Sequence, residues 1–140
     1  MEEKTEKTFH LLGIIAGVIV DNLGTFMSSG LMGSIYLSLH EGDKEELIQV
    51  YNHIGWLILF MVVGMLWSFF GGYVAARVAR RAELINAACI GVIGAGIEFD
   101  SFISNPGIAT WYQVIGLLIV IPVSLLGGKM ALRKKQRSTT

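Results

Sequence analysis

At 140 residues, with 53% hydrophobic side chains, 17 glycines, no formal net charge and a mean hydropathy of +0.59, the chain has the composition of one compact bundle in lipid. The charge balance excludes nucleic acid as an expected partner, and the lone Cys89 excludes an internal disulfide or dithiol exchange. Among Ala87, Ala88 and Gly91, Cys89 reads as a small packing residue.

The first apolar run, 9–30, is preceded by Lys4 and Lys7 and is too long for a cleavable signal, with no small-residue cleavage site before the next polar segment. Asp21 lies twelve residues beyond Phe9, or ~18 Å along a helix, near the bilayer midplane. An ionisable group there costs on the order of 3 kcal/mol to insert and usually faces protein or water on an ion or proton path. The alternative is a structural carboxyl bonded to Asn22 or to nearby backbone. Gly13, Gly17, Asp21, Gly24 and Ser28 recur at spacings of four and three, a small and polar stripe expected to face another helix.

Apolar sequence continues from Phe9 to Leu39, which as one helix would be ~46 Å long, more than a ~30 Å hydrocarbon core. The helix must tilt, break or protrude, and Gly30 and Gly33 are the expected break points. Beyond them, 31–52 is expected to form an acidic helical stalk with Glu41, Asp43, Glu45 and Glu46, in which Asp43 and Glu46 match a capping box.

The second run, 53–76, ends in the basic turn of Arg77, Arg80 and Arg81, and the third covers 83–103. On the third, Ala87, Gly91, Gly94, Glu98, Ser101 and Asn105 form another stripe, and so many small residues mark it as the central helix. Glu98 is expected to face inward, close to Asp21 in depth. Two such carboxyls resist ionising together and can share one proton. The plainer reading places Glu98 at the outer interface. Asp100, turned about 200° away, is expected at interfacial water, and Asn86 to make a structural bond between helices.

An S-N-P-G turn at 104–107, with Asn105 as cap and Pro106 in the first helical turn, leads into the fourth run, 108–130. Pro122 should kink that helix. Trp56, Trp111 and Tyr112 are expected in the outer aromatic belt and Tyr73 in the inner one. Lys129, Arg133, Lys134, Lys135 and Arg137 follow, so that ten of the 11 Lys and Arg residues fall in three segments on one side and only Lys44 on the other. By the bias of Lys and Arg toward cytoplasmic loops, both termini and the middle loop are cytoplasmic. The fold expected is therefore an all-α, integral membrane four-helix bundle in the cell membrane.

The second and fourth runs also repeat each other. S-F-F-G-G-Y-V-A-A-R at 68–77 and S-L-L-G-G-K-M-A-L-R at 124–133 share serine, both glycines, alanine and arginine without a gap. G-V-I-V-D at 17–21 and G-A-G-I-E at 94–98 add a weaker match. Two parallel helical-hairpin repeats would result.

The segment F-F-G-G-Y-V-A-A-R-V-A-R-R at 69–81, with V-D-N-L-G-T at 20–25, resembles uncharacterised prokaryotic four-helix membrane proteins. Gly71, Gly72, Tyr73 and Arg77 are the matching motif positions. Glu83 stands where such proteins often have proline, and the acidic 40–52 loop is longer than usual. The resemblance implies a fold and no activity.

No metal-ligand spacing or cofactor motif is present: His10 is separated by topology from His40 and His53, and only His40, Glu41, Asp43 and His53 have any prospect of meeting. No nucleophile and base converge, so an enzyme is not expected. Membrane lipid is the one certain neighbour. The preferred function class is a non-catalytic accessory or assembly subunit whose glycine-rich faces dock on other membrane subunits. The alternative is a proton-coupled small transporter or channel acting as a homodimer, analogous to small multidrug transporters in its four helices and first-helix acid but lacking their other motifs.

Overall fold

The computed structural model describes residues 9–40, 50, 53–105 and 107–137. Four helices, each long and apolar enough to cross a membrane, pack against one another as a bundle. They are α1 (Leu11–His40), α2 (Ile54–Ala79), α3 (Glu83–Ser104) and α4 (Thr110–Arg137). The chain is a multi-pass membrane protein. Large apolar side chains such as Leu12, Phe26, Leu31, Leu118 and Ile103 cover the outside, where in lipid they cost nothing. The interior is built instead from glycine, alanine and serine, since helices in lipid associate by close backbone approach.

The centre is α2, which touches all three other helices, and its largest contacts are with α4 and α1. This corrects the expectation that α3 is central. Its many small residues serve α4 on one side, but Gly96 meets nothing within 4 Å. One glycine of each G-G pair in the sequence repeat forms the α2–α4 crossing, while Gly71 turns to α1 and Gly128 to Ala87 of α3. A Cβ on Gly72 would collide with the Ser124 backbone, and one on Gly127 with the Phe69 carbonyl. The duplicated segments thus face each other, with α1 packed on α2 and α3 on α4.

Helix α1 runs unbroken through Gly30 and Gly33. A glycine in a helix interior costs only about 1 kcal/mol, less than the several kcal/mol of leaving backbone groups unpaired in hydrocarbon. Near its far end Tyr36 is buried, edge-on to Trp56 at 5.4 Å between centroids and tilted against His53 at 6.5 Å. The helix therefore keeps contact with α2 beyond the expected break. The proposed stalk residues 41–49, with the Asp43 cap, lie outside the described residues.

Two further boundaries differ from expectation. Asn105 ends α3, its backbone N–H bonded to the Ser101 carbonyl, and α4 begins at Thr110. Pro106 lies outside the described residues. Gln113 Nε2 donates to the Asn105 carbonyl at 3.3 Å, closing the α3–α4 connection from the α4 side. At its other end α4 continues to Arg137 instead of stopping near 130, with Pro122 accommodated inside the helix.

At the α2–α3 turn Arg80 and Ala82 have φ of 57° and 47°, the left-handed region that glycine normally occupies. Asn86 holds this turn. It is fully buried, its amide donates to the Arg81 and Ala82 carbonyls, and its Oδ1 accepts the His10 backbone N–H at 2.8 Å. One side chain thereby ties the start of α1 to the α2–α3 connection.

Candidate intramembrane carboxyl site

The stripe on α1 faces α2 along its length. A Cβ on Gly13 would come within 2.8 Å of the Ala75 carbonyl, one on Gly17 within 2.6 Å of the Gly71 carbonyl, and one on Gly24 would overlap the Trp67 ring. Trp67 Nε1 donates to the Ser28 hydroxyl at 2.8 Å. Asp21, between these contacts, is 6% exposed. The Ser68 hydroxyl of α2 donates to Asp21 Oδ1 at 2.9 Å. Asn22 turns to its own helix and donates to the Val18 carbonyl, so of the alternatives for a structural Asp21 the bond to Asn22 is replaced by the one from Ser68.

On α3 the inner part of the stripe faces α4. Gly91 lies against Ser124 and Ile121, and Gly94 against Val120. Ser124 donates to the Ala87 carbonyl at 3.0 Å, while Ala87 joins Ala76 and Ala131 in a small buried cluster covered by Tyr73. Glu98 is half-buried, its carboxyl beside Gly116 of α4. The Asn105 side chain bonds to Ser101 within its own helix and Asn105 is exposed, so at that end α4 is met through the Asn105 backbone carbonyl. Asp100 is exposed, as expected.

Asp21 and Glu98 come together around one cavity of about 130 Å³. Its wall takes Asn22 and Thr25 from α1, Met61, Met65 and Ser68 from α2, Gly94 and Ile97 from α3, and Tyr112, Gly116 and Val120 from α4. Asp21 Oδ2 lies 3.8 Å from where a Gly94 Cβ would be, so Glu98 is one helical turn, ~6 Å, farther along α3. The match of G-V-I-V-D to G-A-G-I-E is therefore not the register of the folded repeat. The position facing Ser124 in the second hairpin, where Asp21 faces Ser68 in the first, is Gly91.

Among the described residues no Lys, Arg or His lines the cavity. Two carboxylates on one small cavity repel each other, and protonating one of them removes the repulsion. Sequence reasoning did not assign Ser68, Thr25 or Tyr112 to this site. Ser68 had a signal, as the first residue of the repeated S-x-x-G-G; Tyr112 appeared only as a belt residue.

The motif residues are mostly a packing seam. Gly71 lies against the Gly17 carbonyl and the Asp21 Cβ, and Gly72 against Ser124; Tyr73 covers the alanine cluster. Arg77 is exposed and lines an open pocket at the end of the bundle. Among the described residues no three His, Cys, Asp or Glu side chains group as metal ligands. Fold and site define a multi-pass four-helix membrane protein with two carboxyls, Asp21 and Glu98, on one cavity inside the bundle. Compared with protein-family models, curated proteins and solved structures, the chain has no match.

Proposed function

We propose that the protein moves protons across the cell membrane, as a proton-coupled small transporter or channel in which Asp21 and Glu98 hold the proton in transit. One observation carries this reading: carboxyls from α1 and α3 line the same small cavity, whose wall has oxygen and nitrogen groups and, among the described residues, no cation. Ionisable groups at membrane depth are costly and are characteristic of proton and ion paths. A homodimer belongs to the proposal, because four helices alone leave little volume between them for a substrate pathway across the membrane. Both termini and the Arg80–Arg81 turn are cytoplasmic in this reading, on the strength of the Lys and Arg asymmetry. Kinship with small prokaryotic four-helix membrane proteins is part of the same proposal and rests on Gly71, Gly72, Tyr73 and Arg77.

The accessory-subunit reading drew on glycine-rich faces docking on a larger membrane partner and on the acidic stalk, whose residues 41–49 lie outside the described residues. Gly13, Gly17, Gly24, Gly72, Gly91, Gly94 and Gly127 are instead occupied within the chain, which shifts the balance to the carboxyl site. The test is reconstitution into liposomes carrying an internal pH dye, with a potassium diffusion potential to drive proton entry. Acidification should follow the potential and be lost in Asp21→Asn and Glu98→Gln. Acidification equal to that of protein-free liposomes, in protein whose fold is intact, would overturn the transport reading and restore the accessory subunit to first place.

A further inference from the structure

A second and larger pocket, about 710 Å³, opens at the end of the bundle where α2 and α4 finish and α1 and α3 begin. Its walls are Ala76, Ala79 and Ala131, and its polar groups belong to His10, Arg77, Arg80, Glu83 and Lys135. That volume is within the usual range of ligand sites. Lys135 is drawn across from the last turn of α4. Its Nζ donates to the Arg80 carbonyl at 2.7 Å and to Glu83 Oε1 at 2.6 Å. Lys135 and Glu83 offset each other, so the pocket keeps the charge of two guanidiniums, and among the described residues neither is paired with a carboxylate.

His10 adds an imidazole donor. Its Nδ1 accepts the Gly13 backbone N–H at 3.1 Å, so in the neutral ring the proton sits on Nε2. Arg80 itself caps α2 with left-handed backbone, φ 57°, its N–H bonded to the Ala76 carbonyl. That backbone is held by the Lys135 bond to its carbonyl. The arrangement has two planar, permanently charged forks, one imidazole donor and an apolar alanine wall at the end of a membrane bundle.

We propose that this pocket is a binding site for a phosphate-bearing anion, with Arg77 and Arg80 as the principal ligands and His10 as a third donor. Guanidinium forks match phosphate oxygens in pairs. The phosphate has two chemically equivalent sources, the headgroup of an anionic phospholipid in the adjoining leaflet or a soluble phosphate compound. Unlike the general attraction of the basic 133–137 segment for a membrane, this site requires particular side chains. It is independent of the carboxyl cavity and of any transport.

The test uses the full chain in phosphatidylcholine nanodiscs. In one arm phosphatidylglycerol is added at low mole fraction and lipid retained through detergent washing is counted by native mass spectrometry. In the other, inorganic phosphate and pyrophosphate are titrated by calorimetry. Arg77→Gln with Arg80→Gln should lower retention or affinity about tenfold or more, as expected for lost charge-assisted bonds. Arg133→Gln with Arg137→Gln removes the same charge outside the pocket and should change little. Selective retention of phosphatidylglycerol identifies the lipid source, and saturable binding of the soluble ions identifies the other. Equal losses in both double variants would reduce the effect to surface charge and overturn the site, as would no preference for any phosphate ligand. Unchanged thermal unfolding of the Arg77 and Arg80 variants guards against misfolding as the cause.

Discussion

The hydroxyl of Ser68 on α2 donates to Oδ1 of Asp21 on α1 at 2.9 Å, and both residues are buried. This bond orients the carboxyl without neutralising it, leaving Oδ2 toward Gly94 and the cavity shared with Glu98. It also joins the two helices at the level where Gly17 and Gly71 bring their backbones together.

Ser68→Ala should lower the unfolding free energy by about 1 kcal/mol, the usual size of a polar contact between membrane helices. Asp21→Asn keeps an acceptor oxygen and should cost less than Asp21→Leu, which loses the bond and thrusts a branched side chain toward Gly71. Unfolding in graded denaturing detergent would rank the three. A silent Asp21→Leu would show that the bond holds nothing together.

The carboxyl pair is checked by infrared difference spectra recorded across pH. One carboxyl band should titrate and should shift in position and midpoint when the other acid is replaced, in Asp21→Asn and in Glu98→Gln alike. Two bands that titrate independently of each other's replacement would rule out a shared proton.

Glycine substitutions separate packing from mere composition. Gly17→Leu, Gly72→Leu and Gly91→Leu insert side chains where even a Cβ meets backbone or side-chain atoms under 3.0 Å away, whereas Gly96 and Gly30 have nothing within 4 Å. The first three should abolish folded protein in size-exclusion profiles. Gly96→Ala should be tolerated or stabilise by about 0.5–1 kcal/mol through helix propensity. Similar losses at all five positions would remove the argument for close backbone crossings.

Orientation is tested by cysteine accessibility in a Cys89→Ser background. A cysteine at Gly107 should react with an impermeant thiol reagent in intact cells, and one at Arg80 only after lysis. Reversed labelling would place the basic ends outside.

The sequence pattern of each helix was sufficient for what depends on one helix at a time. Gly13, Gly17, Asp21, Gly24 and Ser28 fall on one face because the helix repeats every 3.6 residues, and that face meets α2 in the fold. The repeat at 68–77 and 124–133 likewise marked the segments that cross. Gly30 and Gly33 do not break α1, because the backbone bonding that a membrane enforces and the Tyr36–Trp56 contact that continues the packing outweigh local propensity.

The sequence by itself determined four apolar spans, their alternating directions and the small faces available for packing, since hydropathy, length and periodicity are properties of a local stretch of chain. Only the tertiary structure decided that α2 is the central helix, that Asp21 stands opposite Gly94 with Glu98 a turn beyond, and that Lys135 reaches Glu83 across 52 positions. Those relations depend on how far one helix slides and rotates against its neighbour. That register is set by which glycines admit which backbone, a property of the pair that neither helix carries alone.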